Sequence, residues 1–312
     1  MTQPLISAII CTHNRASYLG AAIASLLSQT YSAYEIIVVD NASTDNTKAV
    51  VEAYLPHPQL SYVYESILGL SAARNRGAAI ARGSILAYLD DDAEASPHWL
   101  AALAEAFAEH AQAAIAGGAV SLIWPAGITP PPWLSPTLSE SLGAYSLGDA
   151  IQPITDPGQT PRGLNYAVKK SFLESVGGFD LQLGRVGQNL LSNEEMHLTQ
   201  QALSAGFAVL FVPQAQVAHK VAPERLHRRW FLRRSWWQGI SECYREHLSH
   251  TLTGQRLQVR GLCLLRGLIK ALKSWPDPAL RFENLVYAYG QLGYVFSGLR
   301  HLTSRPKARA CP

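Results

Sequence analysis

The strongest constraint on this chain is a repeating pattern in its first third. Short apolar runs of strand length alternate with helical stretches, and the runs end on polar residues. Leu5-Ile-Ser-Ala-Ile-Ile-Cys11 leads into Thr12, His13, Asn14 and Arg15. Glu35-Ile-Ile-Val-Val39 leads into Asp40 and Asn41, and Ile85-Leu-Ala-Tyr-Leu89 into Asp90-Asp91-Asp92. Nearly continuous apolar runs predict strands buried on both faces. Between them, Leu19, Ile23, Leu26 and Leu27 share one helical face, and Ser43-Thr44-Asp45 caps a second helix. Leu60–Tyr64 reads as another strand, Gly69–Ala81 as a helix, and Ser96-Pro97 as the start of a fourth helix. Strands alternating with helices predict βαβ units and an α/β, mainly parallel sheet of Rossmann-like type, flanked by helices. Such sheets bind ligands beyond the carboxyl ends of their strands, where these polar residues fall.

Charge divides the chain. Residues 1–218 hold nine Lys and Arg against 18 Asp and Glu, whereas 219–312 hold 17 against five. The change of sign predicts an acidic domain over 1–222 and a basic, aromatic-rich helical extension over 223–312. Cys11, Cys243, Cys263 and Cys311 form no CxxC pair, which argues against a zinc ribbon, a redox dithiol or a secreted disulfide framework. Met1-Thr-Gln-Pro4 has no basic region of the signal-peptide kind, and no apolar stretch reaches the ~18 residues of a spanning helix. The expectation is a cytoplasmic protein, at most peripheral on the cytoplasmic face of a membrane.

The polar groups narrow the chemistry. Adjacent carboxylates such as Asp90, Asp91 and Asp92 repel one another, so they serve either as solvated turn residues or as ligands of a hard divalent cation. No GxGxxG or Walker loop follows the first strand, which argues against a dinucleotide-dependent oxidoreductase. Arg74 and Asn75 lie in a helix of otherwise small residues, where a guanidinium could reach a pyrophosphate. Glu194 and Glu195 open a helix; they complement its dipole, or one of them acts as a general base. His219 ends a strand-like run and could join the carboxylates as a ligand.

Ser7–Arg15, Ser28–Tyr31, Glu35–Asp45, Gly69–Gly77, Leu89–Asp92, Gly163–Ala167, Gly177–Asp180, Asn193–Glu195 and Val217–His219 together resemble a family-2 glycosyltransferase of the GT-A fold. The resemblance covers roughly residues 5–220. It implies inverting, metal-assisted transfer of a sugar from a nucleotide-sugar donor, commonly a UDP-sugar, to a hydroxyl of a glycan or lipid-linked acceptor. It implies further that Asp40 reads the base, that Thr12, His13, Asn14 and Arg15 line the base and phosphate site, and that Asp91 faces the ribose. Asn41, Arg74, Asn75, Asp90 and Asn165 complete the donor-binding set. Asp92, with His219, would hold Mn2+ or Mg2+, and Glu195 or its neighbour Glu194 would be the base. The chain departs from the family pattern at Asn41, often Asp, at His13, often Tyr, and at Glu194-Glu195, more commonly Glu-Asp. Two alternatives remain at this point: a sugar nucleotidyltransferase and a non-catalytic sugar-nucleotide-binding module.

The basic extension fits the resemblance least. Glu224–Trp237 mixes Arg with Trp, and Leu262–Leu272 is flanked by Arg260, Arg266, Lys270 and Lys273. A membrane surface and a packed helical cap with snorkelling Arg both fit this pattern. No nucleic-acid module is recognisable, so no nucleic-acid partner is expected.

Overall fold

The computed structural model describes residues 3–187 and 189–303, so Met1, Thr2, Gln188 and the terminal stretch with Cys311 lie outside it. Among the described residues Cys11, Cys243 and Cys263 are free thiols. The described chain begins β1 (Ile6–Thr12), α1 (Ala16–Leu27), β2 (Tyr34–Asp40), α2 (Thr47–Glu52), β3 (Leu60–Tyr64), α3 (Leu70–Ile80) and β4 (Ile85–Asp90). These are the expected βαβ units. β1 pairs in parallel with β2 and β4, and β2 with β3. β2 is buried along its whole length, as an unbroken apolar run requires.

The chain continues through β5 (Ala93–Ala95), α4 (Trp99–Glu109), β6 (Ala113–Ile123), α5 (Pro136–Glu140) and β7 (Gln152–Pro153). It then forms β8 (Asn165–Lys169), α6 (Lys170–Ser175), α7 (Glu194–Ser204) and β9 (Ala208–Lys220). One sheet results, in the order β3-β2-β1-β4-β8-β6-β9-β5, with β7 also paired to β9. Its second half is mixed. β8 runs antiparallel to both β4 and β6, β6 runs parallel to β9, and β5 is antiparallel to β9. β9 is one long strand, and the run ending at His219 that the sequence suggested is part of it. It bulges between Val212 and Val217, and Pro213, which lacks an N–H for the ladder, falls in that irregular stretch.

Two compact units contain these elements. The first comprises Met1–Ile128, Leu142–Gln188 and Glu194–Ala222. The second gathers Thr129–Ser141, Asn189–Asn193 and Pro223–Pro312, so two internal segments join the basic extension. The core of the first unit lies on both faces of the sheet, from Ile9, Ile10 and Val38 to Trp99, Tyr166 and Phe211.

The second unit is built on α8 (Arg228–Leu248), α9 (Gly254–Lys273) and α10 (Pro278–Thr303). α8 and α10 touch backbone to backbone. A β-carbon on Gly239 would strike the carbonyl oxygen of Gly290, so only hydrogen fits there. Phe231 is buried in this unit, and Trp133 stacks edge-on against both Phe231 and Phe282, at 5.4 and 5.1 Å between ring centroids. Within the Arg- and Trp-rich segment at the start of α8, Phe231 thus belongs to an aromatic cluster of the second unit. No helix among the described residues is long and apolar enough to cross a membrane.

Candidate active site

The strand registers gather the polar ends on one edge of the sheet. Thr12 lies opposite Asp40, and Cys11 opposite Asp90. Asp40 is buried; its Oδ1 accepts from the Ser43 N–H at 2.9 Å and its Oδ2 from the Tyr62 hydroxyl at 2.8 Å. His13 Nδ1 donates to the Asn41 carbonyl at 2.7 Å, which ties the loop after β1 to the loop after β2. Asn14 stands at φ 54° and its Oδ1 accepts from the N–H groups of Thr44 and Asp45 at 2.7 and 3.3 Å. Asn tolerates that left-handed conformation better than most residues, and here it clasps the two loops together.

The acidic triplet receives counter-charge from one side. Arg15 Nε lies 3.1 Å from Asp91 Oδ1, and its Nη2 donates to Asp92 Oδ2. Burial pushes Asp91 up to about 7, against the pull of Arg15 and with the repulsion of Asp92 added. The other face of Asp92 meets His219, which the resemblance named as its partner. β5 pairs with β9 so that Ala93 sits opposite His219, and His219 Nε2 lies 3.3 Å from Asp92 Oδ1.

That pair has the chemistry of a cation site. His219 is buried, and its Nδ1 donates to the Leu142 carbonyl at 2.6 Å. With Nδ1 donating to that carbonyl, Nε2 is the ring atom turned toward the Asp92 carboxylate oxygen. An imidazole nitrogen and a carboxylate oxygen at this separation can share a proton or together ligate a cation. Imidazole with carboxylate suits Mn2+ and is compatible with Mg2+, which characteristically takes only one or two carboxylates and fills its remaining positions with phosphate oxygens and water. The residues fit such an ion, although no cluster of three or more His, Cys, Asp or Glu forms a closed cage among the described residues.

Across the triplet stands a second constellation. Arg74, on α3, is buried, with Nη1 3.0 Å from Glu194 Oε1 and 2.8 Å from Glu195 Oε1, and Nη2 3.9 Å from Asp90 Oδ1. The rings of Tyr88 and Phe179 flank its guanidinium at 5.8 and 5.4 Å. Burial opposes its charge, but Glu195, Glu194 and Asp90 outweigh that penalty and hold its pKa above normal. The two glutamates differ. Glu194 is buried, its Oε2 has no hydrogen-bond partner among the described residues, and burial together with Glu195 pushes it up to about 8. Glu195 keeps 15% of its side-chain surface exposed.

Gly163, which the sequence offered only as part of a motif, packs directly on this pair. A β-carbon there would land on Glu195 Oε1 and crowd Arg74 Nη2. Gly163→Ala is accordingly expected to displace Glu195 and cut turnover by at least tenfold with little change in melting temperature. Initial rates alongside thermal unfolding check this, and a fully active variant would show that the carboxylate's position is immaterial.

Three asparagines grouped with the donor-binding residues have their amides engaged within the fold. Asn41 donates to the carbonyls of Glu65 and Ile67 and accepts from the Gly69 N–H. Asn75 bonds both the N–H and the carbonyl of Phe179. Asn165 accepts from Trp99 Nε1 and donates to the carbonyls of Ala119 and Ala215.

The comparisons with known proteins agree with this architecture. The family model for glycosyl transferase family 2 matches residues 7–162. Over 243 residues the chain is 26% identical to the glucosyl-dolichyl phosphate glucuronosyltransferase of Haloferax volcanii, covering 76% of each chain. The structure of mannosyltransferase PcManGT from Pyrobaculum calidifontis, in complex with GDP-Man and Mn2+, matches with a TM-score of 0.58 at 20% identity. That match covers 98% of this chain and 77% of the other. S. aureus TarS 1-349 in complex with UDP matches with a TM-score of 0.52 at 19% identity, covering 96% and 92%. The structural likenesses carry the fold, and the family match decides among the readings that the motifs alone left open. Half the chain falls within the family model, and the protein belongs to glycosyl transferase family 2, a glycosyltransferase with the GT-A fold.

Proposed function

We propose that this glycosyltransferase moves a sugar from a nucleotide donor, a UDP-sugar, to a hydroxyl of a glycan or lipid-linked acceptor, with inversion at the anomeric carbon. The observation that carries this reading is the reach of Arg74. A single buried guanidinium ties Asp90, at the acidic strand end, to Glu195, so a charge-binding edge and a base stand as neighbours.

In this reading the first unit binds the donor, with Asp40 and the loop from Thr12 to Arg15 toward the nucleoside and Asp91 toward the ribose. Asp92 and His219 would hold a divalent cation, Mn2+ or Mg2+. Such an ion, when bound, offsets negative charge on the departing diphosphate. Glu195 takes the proton of the acceptor hydroxyl while that oxygen attacks the anomeric carbon opposite the nucleotide. The bond from carbon to diphosphate oxygen breaks in the same displacement, hence one inversion. Arg74 keeps Glu195 aimed and does not itself meet the acceptor. The Haloferax relative, whose name gives glucosyl-dolichyl phosphate as what it acts on, supports a lipid-linked acceptor. The second unit then contacts the acceptor or a membrane surface.

A donor screen tests the reaction. Nucleotide release is measured across UDP-, GDP- and dTDP-sugars with Mn2+, and the product's anomeric configuration is read by NMR. UDP-sugars should be the best donors and the product inverted. A retained configuration, or pyrophosphate released from a nucleoside triphosphate and a sugar phosphate, would overturn the proposal.

A further inference from the structure

α9 carries an apolar stripe that the protein leaves in water. Its inward side is small. Gly267 and Ala271, one turn apart, are buried, and Gly267 packs against Tyr287 and Ala288 of α10. On the opposite side, at spacings of three, four and three, stand Leu262, Leu265, Ile269 and Leu272, each more than half exposed and Leu272 70% exposed. Trp275, just past the last turn, is 64% exposed. Isolated surface leucines need no explanation, but a contiguous row with a Trp at its end marks a contact surface.

Charge identifies what the surface meets. α9 contains three Arg and two Lys and no acidic residue. Arg260 is engaged by Glu242 and Glu246, and Arg256 by Glu246. Arg266, Lys270 and Lys273 run along one edge of the stripe and make no ion pair among the described residues. A second copy docking the same face would bring these cations against their own kind, which costs free energy. An anionic lipid surface accepts both halves of the pattern, with leucines entering the acyl boundary and cations meeting the headgroups. At 20 residues the helix is long enough to lie along the surface, yet its five cations deny it a spanning position.

We propose that α9 is a lipid-surface helix by which the protein adsorbs to anionic bilayers, with Leu262, Leu265, Ile269 and Leu272 inserted and Arg266, Lys270 and Lys273 at the headgroups. The contrast with α8 is instructive, because Phe231 of that Arg- and Trp-rich helix is packed inside the second unit. Adsorption requires neither donor nor acceptor, so it stands or falls separately from the transfer reaction.

The test is co-sedimentation of the full chain with vesicles of phosphatidylcholine alone or mixed with phosphatidylglycerol, at low and high salt. The protein should bind the mixed vesicles, release at high salt, and ignore the neutral ones. A variant with Arg266→Gln, Lys270→Gln and Lys273→Gln should bind about a hundredfold more weakly. A variant with Leu262→Gln, Leu265→Gln and Ile269→Gln should lose at least about tenfold. These side chains are exposed, so both variants should keep the parent's circular dichroism and melting temperature. Failure of the parent to bind mixed vesicles, or unchanged binding by the leucine variant, overturns the proposal. A concentration-dependent dimer that the leucine variant abolishes, without vesicle binding, assigns the stripe to a second copy and also overturns it.

Discussion

Glu195→Gln is expected to lower kcat by roughly 10²- to 10⁴-fold, the range for loss of a positioned general base, while nucleotide binding stays within about twofold. Gln preserves the shape of the side chain and can still accept from Arg74, so the loss isolates the proton acceptor. Glu194→Gln serves as the internal contrast. Its carboxyl is buried and held up to about 8, so near neutral pH it is mainly uncharged and a poor proton acceptor. That variant should keep most of its turnover and change stability instead. The folded-state pKa lies above the ordinary 4.5, so the folded protein holds a proton that the unfolded chain gives up. The associated stability is complete below about 4.5 and is lost as pH rises through about 8. The melting temperature of Glu194→Gln should therefore gain on the parent's between pH 6 and pH 9. Paired kinetics, nucleotide titration and thermal unfolding decide the matter. If Glu194→Gln is the inactive variant and Glu195→Gln turns over normally, the base has been assigned to the wrong neighbour.

Asp92→Asn is expected to reduce Mn2+-stimulated transfer on the order of a hundredfold or more, the scale for removing charge stabilisation of a leaving group. The substitution keeps the size of the side chain but removes the charge that faces His219 Nε2 at 3.3 Å. Because the His219 tautomer is set from behind by the Leu142 carbonyl, the imidazole stays in place and the effect reports on the carboxylate alone. Mn2+ titration in the presence of UDP, read by electron paramagnetic resonance, should show weaker ion binding in the variant. Full activity in the variant, together with a parent enzyme insensitive to EDTA, would remove the metal from this reading.

The parallel half of the sheet was open to reading because β1, β2 and β4 are nearly unbroken apolar runs of strand length that alternate with helical stretches. β6 escaped notice for the opposite reason. Its sequence, AAIAGGAVSLI, is rich in Ala and Gly, which carry little strand preference, and it pairs only with strands distant along the chain. The carboxylates and His219 were visible as residue types, but the contact between Asp92 and His219 depends on three residues of β5 joining β9. No local pattern encodes that. The asparagines show a further limit. An amide that clamps a loop and one that contacts a ligand have the same donors and acceptor, and only the neighbours of Asn41, Asn75 and Asn165 show the first use. The basic extension resolved in the same way. Arg, Trp and Leu suggested both packing and membrane contact, and the fold buries Phe231 of α8 while α9 keeps its leucines in water.

The short antiparallel strand β5 also fixes when in the life of the chain the site comes into being. The strands β1 to β4 all precede Asp92 in the chain and pair in parallel with one another. Asp92 meets His219 only after β9 has been made and has docked beside β5, near the end of the first unit. The Asp92–His219 contact therefore spans more than 120 residues of sequence and depends on the β5–β9 pairing.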